Sequence, residues 1–307
     1  MDIFIQQIIN GLVLGSIYAL VALGYTMVYG IMGLINFAHG EVVMIGAMVA
    51  LSVVKALAAS GLPVFAVILI ALAAAALVCM AIGFSVERIA YRPLRRAHKL
   101  APLITAIGIS IILQHTAMLV WGRNYHAFPP ILPASAHEIF GATITSLQVA
   151  IVLIAGLMMA GLMVLINHTR FGRAMRATSE NPQIAQLMGV DINKIISATF
   201  VIGSALAAVA GLMVSANYSI AHYYMGFMLG LKAFTAAVLG GIGNIAGAVL
   251  GGILLGLIEA LGAGYIGDLT GGFLGSHYQD IFAFFVLIGV LIFRPSGLIG
   301  ERVSERA

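Results

Sequence analysis

The residues with the most evident chemical potential stand together in an otherwise apolar stretch, Ile35-Asn36-Phe37-Ala38-His39-Gly40-Glu41. An imidazole and a carboxylate two residues apart can ligate a metal ion or pass a proton. Neither chemistry is complete here. A metal site needs a third ligand, and none is evident; nor is there a nucleophile, base and acid arrangement in which His39 or Ser85 would act. Cys79 is the single cysteine, which excludes an intrachain disulfide and a cysteine metal cluster. None of the four lysines follows a glycine, so the chain has no Gly-Lys-Ser/Thr phosphate loop and is not expected to hydrolyse ATP alone. The cluster reads instead as an interruption between apolar helices. Its polar groups must be satisfied by protein, by water or at an interface, and Glu41 falls in the first turn of the next helix, where the dipole favours negative charge.

A second polar stretch, 170–194, reads RFGRAMRATSENPQIAQLMGVDINK. Arg170, Arg173 and Arg176 recur on one side of a helical extension. Asn181 and Pro182 have the signature of an N-cap and first helical residue, and Gly189 that of the left-handed residue after a helix end. The helix between them spans about 10 Å, with Ile184, Leu187 and Met188 on one face. So short a helix is not stable alone in water and needs something to pack against. A helix lying on a membrane usually carries lysines along its polar face. None stands between Arg176 and Lys194, so docking into a partner's groove is the expectation. Asp191 then caps the following helix.

The elements that must position these groups are membrane helices. Of 307 residues, 62% are hydrophobic and 8% charged, too little charge to cover a soluble domain of this size. Apolar runs recur at about Ile8–Ile31, Val42–Ala59, Pro63–Val86, Pro102–Trp121, Leu147–Ile166, Ile192–Ala216, Ala246–Leu261 and Ile281–Phe293, with a shorter one at Phe227–Leu239. These predict a single all-α polytopic domain over 1–307 with about eight to nine transmembrane helices, interrupted or re-entrant near 35–41 and 227–244. Met1-Asp2-Ile3-Phe4 has no basic region, so the first span is expected to stay uncleaved. The net charge of +4 follows the positive-inside bias. Arg88, Arg92, Arg95, Arg96 and Lys99 mark one cytoplasmic loop, 170–194 another, and Arg294-Pro295, Arg302 and Arg306 a cytoplasmic C-terminus; Pro129, Pro130, Pro133, Asp268 and Asp280 mark outer loops.

The second interruption, Gly240-Gly241-Ile242-Gly243-Asn244, completes a pair of breaks, one in each half of the chain. Paired interruptions point to a substrate path, and Asn36, His39, Glu41 and Asn244 are its candidates. Gly243, Gly247 and Gly251, like Gly252 and Gly256, repeat every four residues as a helix-packing ridge. Lys232 and Glu259 stand at unequal distances from the break and would meet only if their side chains reached toward each other.

Five motifs, in order, carry a resemblance: GYTMVYGIMGLINFAHGEVVMIGA at 24–47, ERIAYRPLR at 87–95, RAMRATSENPQIAQLMGV at 173–190, FTAAVLGGIGNIAGA at 234–248 and RPSGL at 294–298. Over nearly its whole length the chain resembles permease subunits of bacterial branched-chain amino-acid ABC importers. The resemblance implies an inner-membrane permease that is not itself an enzyme, moving branched-chain amino acids into the cytoplasm. It also implies a second related permease, two cytoplasmic ATPases that carry ATP and Mg, and a periplasmic substrate-binding protein; no cofactor is implied in this chain. The loop 170–194 would hold the helix that docks on an ATPase, through Glu180, Pro182, Ile184, Ala185, Leu187, Met188 and Gly189. Ala185 and Gly189 keep the spacing of the Ala and Gly that ABC importers carry there. Gln183 and Ile184 stand where the preceding Glu and Ala would, and Glu180 lies three residues upstream.

Two alternatives remain at this point. A permease for urea or short amides would look alike. An ion-coupled carrier or channel would use Glu41, Glu259 or Lys232 as intramembrane ion sites.

Overall fold

The computed structural model describes residues 2–95, 97–98, 100–132, 135–139, 141–271, 273, 278–294 and 296–300. Arg96, Lys99, Pro133, Pro295, Arg302 and Arg306 lie outside the described residues, as does the side chain of Asp268. Among the described residues, seven helices are long and apolar enough to cross a membrane. They are α1 (Asp2–Met32), α2 (His39–Leu57), α3 (Val64–Ser85), α4 (Leu100–Trp121), α5 (Ser146–His168), α8 (Ile192–Tyr218) and α10 (Ile245–Leu269). Between α5 and α8 come α6 (Arg170–Glu180) and α7 (Pro182–Leu187). The remaining helices, α9 (Met225–Gly240) and α11 (Gln279–Phe293), have 16 and 15 residues. At 1.5 Å per residue they extend about 24 and 22 Å, less than the ~30 Å hydrocarbon core. Among the described residues seven helices are thus long enough to span, and α9 and α11 are shorter apolar helices in an all-α polytopic fold.

Helix ends follow local rules. Thr145 and Gln148 form a reciprocal capping box at the start of α5, and Pro63 precedes α3 in extended backbone. The interruption near 35–41 is the turn between α1 and α2. That near 227–244 is α9 and the turn that follows it, where Gly241 and Gly243 have φ of +113° and +94°, backbone only glycine adopts without strain. Gly243 therefore sits in the turn and is not part of the α10 packing ridge.

The core is built around α1, which packs against α10, α8, α9 and α5. Small residues allow the closest of these approaches. A Cβ at Gly11 would stand 2.8 Å from Leu257 Cα, and one at Gly15 would stand 2.7 Å from Ile253 Cα. One at Gly252 or Gly256 would overlap the α1 backbone at Ala19 or Gly15. Gly247 and Gly251 face the other way, onto Gly240 and Ala236 of α9. Between apolar helices in lipid, such close packing replaces the hydrophobic drive that water would supply. The outward faces of α3, α4 and α5 stay bare, with Leu77, Leu119 and Leu157 exposed.

One end of the bundle carries short strands: β1 (His126–Ala127) pairs antiparallel with β4 (Ile220–Ala221), and β2 (Ala136–Ile139) with β3 (Ala142–Thr145). The opposite end carries the α1–α2 turn, the segment after α3, and α6–α7. There a final stretch folds back on the α9–α10 turn through Leu298 N–H to Leu239 O (2.9 Å) and Ile299 N–H to Gly240 O (3.0 Å).

Overpacking at the α1–α10 contact costs about 1–3 kcal/mol or more, so Gly252→Val is expected to lower the thermal unfolding midpoint of detergent-purified protein clearly. Gly108→Val, where nothing lies within 4 Å of an added Cβ, is the control and is expected to shift it little.

Candidate functional site: a capped helix and three buried polar clusters

The loop helix forms as local chemistry dictates. The Asn181 side chain accepts hydrogen bonds from the backbone N–H of Gln183 and of Ile184, both at 3.0 Å. Gly189 has φ +85°, and Val190 N–H donates to Ala185 O at 3.0 Å, closing the end in left-handed form. Asp191 accepts from Lys194 N–H at 3.2 Å, which holds its carboxyl below the usual aspartate range and caps α8. Ile184, Leu187 and Met188 are 58%, 86% and 80% exposed, an apolar face with nothing on it. Glu180, Pro182 and Gly189 are exposed beside them. Ala185 turns the other way and is buried; it seats the helix and offers no docking surface. Upstream, Thr169 caps α6 by accepting from Gly172 N–H at 3.1 Å, and Arg176 bonds the carbonyl of Ile166.

Next to this loop lies a cluster that sequence reasoning did not single out. Chain geometry changes after α3 to a π-helical turn, Val86–Tyr91, a feature frequent at functional sites. It buries Glu87 completely. Arg92 bonds Glu87 through Nη2 at 2.9 Å and Nε at 3.2 Å, Arg95 forms a second ion pair with it, and Ser197 on α8 donates to it at 2.6 Å. Arg95 also donates to Asn193 Oδ1, on the first turn of α8, at 2.6 Å. From the π-helical turn itself Tyr91 donates to Asn36 Oδ1 at 2.8 Å. That oxygen also accepts from Ala38 N–H at 3.2 Å, so Asn36 shapes the α1–α2 turn. The available signal was Glu87 followed at +5 and +8 by arginines, spacing that a helical turn folds onto one carboxylate.

The second cluster surrounds Glu41, which is buried in the first turn of α2. Gln114 donates to its Oε1 at 2.6 Å and Ser110 at 3.2 Å, both from α4. Oε2 has no hydrogen-bond partner among the described residues and lies over Gly226 of α9, where a Cβ would come within 2.8 Å. His39 is buried against Gly24, its ring edge-on to Tyr25 at 5.0 Å. His39 thus lies against α1 and Glu41 against α9 and α4, while Asn36 sits in the preceding turn against Tyr91. Asn244 stands apart at the other break. It accepts from Gly247 N–H at 3.0 Å and donates to Ile299 O at 3.2 Å, capping α10 and clamping the final segment.

In the third cluster Lys232 of α9 pairs with Glu259 of α10, and with Asp280 of α11 at 2.6 Å. Tyr18 of α1 donates to Glu259 Oε2 at 2.8 Å. The two partners do reach each other, and α1 and α11 join them.

A multi-span helical bundle, broken by buried polar turns and carrying one apolar-faced helix outside the long spans, has the build of a transmembrane permease. Residues 7–291 match the family described as branched-chain amino acid transport system / permease component, and the chain belongs to that family. It is 48% identical to the high-affinity branched-chain amino acid transport system permease protein BraD of Pseudomonas aeruginosa, over 99% of this chain and 98% of that protein. It is 44% identical to the corresponding protein LivH of Escherichia coli K12, over 99% and 97%. A probable branched-chain amino acid transport permease protein of Methanocaldococcus jannaschii is 29% identical over 97% and 94%. The chain is therefore a multi-pass membrane protein and a transport component.

Removing Glu87 leaves two arginines facing each other without their carboxylate. Glu87→Ala is expected to cost about 3 kcal/mol, the low end for a broken buried pair because Arg92 stays part-exposed. Arg88→Ala, on the exposed side of the same turn, is expected to cost less than about 0.5 kcal/mol. Thermal unfolding of both proteins in one detergent measures the contrast.

Proposed function

We propose that this chain is one permease subunit of an ATP-driven ABC importer that brings branched-chain amino acids across the bacterial inner membrane. It works beside a second related permease, two cytoplasmic ATPases and a periplasmic binding protein, with its C-terminus in the cytoplasm. ATP and Mg belong to the ATPases, since no lysine of this chain stands in a phosphate loop. The observation that carries the reading is the bare apolar face of α7, formed by Ile184, Leu187 and Met188 on a helix too short to hold itself. Such a face suits a helix-in-groove contact, and the occupant of choice is an ATPase.

Loaded binding protein docks at the strand-bearing end, and ATP closes the ATPase dimer at the other. α7 moves with the ATPases. Its motion enters α8 through Gly189-Val190-Asp191, and the first turns of α8 are tied to the segment after α3 by Arg95–Asn193 and Ser197–Glu87. Tyr91 of that segment holds Asn36 in the α1–α2 turn. Side-chain hydrogen bonds and the backbone of the turn Val86–Tyr91 thus join α7 to the break that carries His39 and Glu41, which border the path together with Asn36. Asn244, engaged as cap and clamp, keeps the second break in shape.

Leu187→Asp places a charge on an exposed face without disturbing the core. It is expected to abolish ATP-dependent leucine uptake and co-purification of the ATPases while membrane insertion stays normal; unchanged uptake overturns the coupling assignment. Tyr91→Phe removes one hydroxyl of the run. Leucine imported per ATP hydrolysed, measured in proteoliposomes, is expected to fall several-fold with ATPase activity retained.

A further inference from the structure

Among the described residues, the carboxylates of Glu87, Asp191, Glu259 and Asp280 pair with a lysine or an arginine. Glu41 is only 1% exposed and has no such partner among them. Its Oε1 accepts from Gln114 and Ser110, both neutral, and its Oε2 is without a hydrogen bond. The start of α2 adds little. The N–H groups of His39, Glu41 and Val42 already donate to the carbonyls of Asn36 and Ala38, at 3.0–3.2 Å. A helix N-terminus favours negative charge, but the effect is small beside the cost of burying an unpaired carboxylate.

No element packed against α2 brings a cation to it. From α1 comes Tyr25, a phenol, and His39 on α2 itself has its ring against Gly24 and Tyr25. From α3 comes the Cys79 thiol, which donates to Val42 O at 3.3 Å. Besides Ser110 and Gln114, α4 carries His115, which is exposed and holds the Ile111 carbonyl. The titratable groups of α8, Lys194 and Tyr218, stand at its two ends, and β4 has none. On α9, Lys232 is held by Glu259 and Asp280. What Oε2 meets there is Gly226.

A metal ion needs several oxygens arrayed round it. Among the described residues no three His, Cys, Asp or Glu gather to hold one. The helices are also too close. A Cβ on Gly40 would overlap Gly226 O and stand 2.8 Å from Gly230 Cα, and one on Gly226 would overlap Gly40 O. So α2 and α9 cross at backbone contact beside the carboxylate. A proton needs one oxygen and no further space. An isolated carboxylate away from water takes one up rather than stay charged.

We propose that Glu41 is a proton-binding site. Its Oε2 carries the proton while α9 lies on α2. When the two helices part and water enters, the O–H bond breaks, its electron pair stays on the carboxylate and the proton passes to water. Gln114 and Ser110 stay on Oε1 and stabilise the charge that forms. The packed arrangement binds one proton more than the parted one, so raising the pH favours parting. The site stands whatever the permease carries.

Infrared spectra of the full-length chain in detergent test the bound proton, with Glu41→Gln beside the parent. Glutamine has the shape of the protonated acid, so the variant is expected to assemble as the parent does. At neutral pH the parent-minus-variant spectrum is expected to contain the C=O band of a protonated carboxyl. Carboxylate bands alone in its place overturn the site. Glu41→Met serves in the same subtraction if Glu41→Gln does not assemble. Release is read at Met44, whose Cβ would stand 2.8 Å from a Cβ on Gly226. Met44→Cys meets a hydrophilic maleimide only when α9 leaves α2, and the buried Cys79 does not compete. From about pH 6 to about pH 8 its labelling is expected to rise more steeply than in protein that also lacks the Glu41 carboxyl, the excess approaching tenfold per pH unit, the limit for one proton. Equal slopes in the two proteins overturn the release.

Discussion

Hydrocarbon cannot hydrogen-bond, so every polar group inside this bundle needs a partner from the chain itself. That constraint decides where the helices stand. The buried carboxylates each tie segments far apart in sequence: Glu41 holds α2 to α4, Glu87 holds the turn after α3 to α8, and Glu259 holds α10 to α9 and α1. Apolar side chains face lipid as comfortably as each other, so they discriminate poorly among arrangements. The polar ties supply the register, and the glycines of α1 and α10 let the backbones close on it.

Exceptions to the constraint remain. Among the described residues, Thr26 Oγ1, His39 Nε2 and Glu41 Oε2, on α1 or the first turn of α2, are buried without a hydrogen-bond partner, as are Ser215 Oγ on α8 and Arg95 Nε. Glu41 Oε2 faces glycine backbone on α9, where no side chain intervenes. Unmet bonds lower the cost of leaving this arrangement, because few interactions are lost when α9 shifts against α2. The rest of α2 is anchored through α8 and α3. Three of the unmet polar groups of the core therefore sit on α1 and at the start of α2, two of them, Thr26 and Glu41, near α9.

What was legible in the sequence was local. Asn181, Pro182, Gly189 and Asp191 act within a turn of one another, so their pattern predicts the caps and end of α7 without knowledge of the fold. The breaks at Asn36 and Gly241 are legible for the same reason. Partners across helices were not. Ser110, Gln114 and Ser197 are ordinary span residues until α4 and α8 are placed. Ala185 stood in the docking set because its motif spacing fitted; its inward turn follows from α6 and α8, which hold the opposite side. For Lys232 and Glu259, counting from Gly240 and Ile245 leaves about 9 Å between their levels along the hairpin. Two long side chains reaching toward each other span that gap, and only the fold says whether they do.

The coupling role proposed for α7 depends on what it is attached to. Its six residues contribute almost no stability of their own. Caps at both ends and the buried Ala185 make it an extension of α6 and α8 rather than an independent element. Force on its exposed face is then felt mainly at the first turn of α8. There the load meets Asn193 and Ser197, bonded to Arg95 and Glu87 at 2.6 Å each. Charge-assisted bonds of this length are the stronger kind, and slipping α8 alone would leave a fully buried carboxylate short of a donor. α8 and the segment after α3 should therefore shift together. Glu87 stands in the π-helical turn itself, so that turn shifts with α8 as part of the pair. Displacement leaves that turn through Tyr91, whose hydroxyl ends on Asn36. On the coupling proposed above, α8 and this turn would carry motion to the break between α1 and α2, where the Tyr91 hydroxyl bonds Asn36.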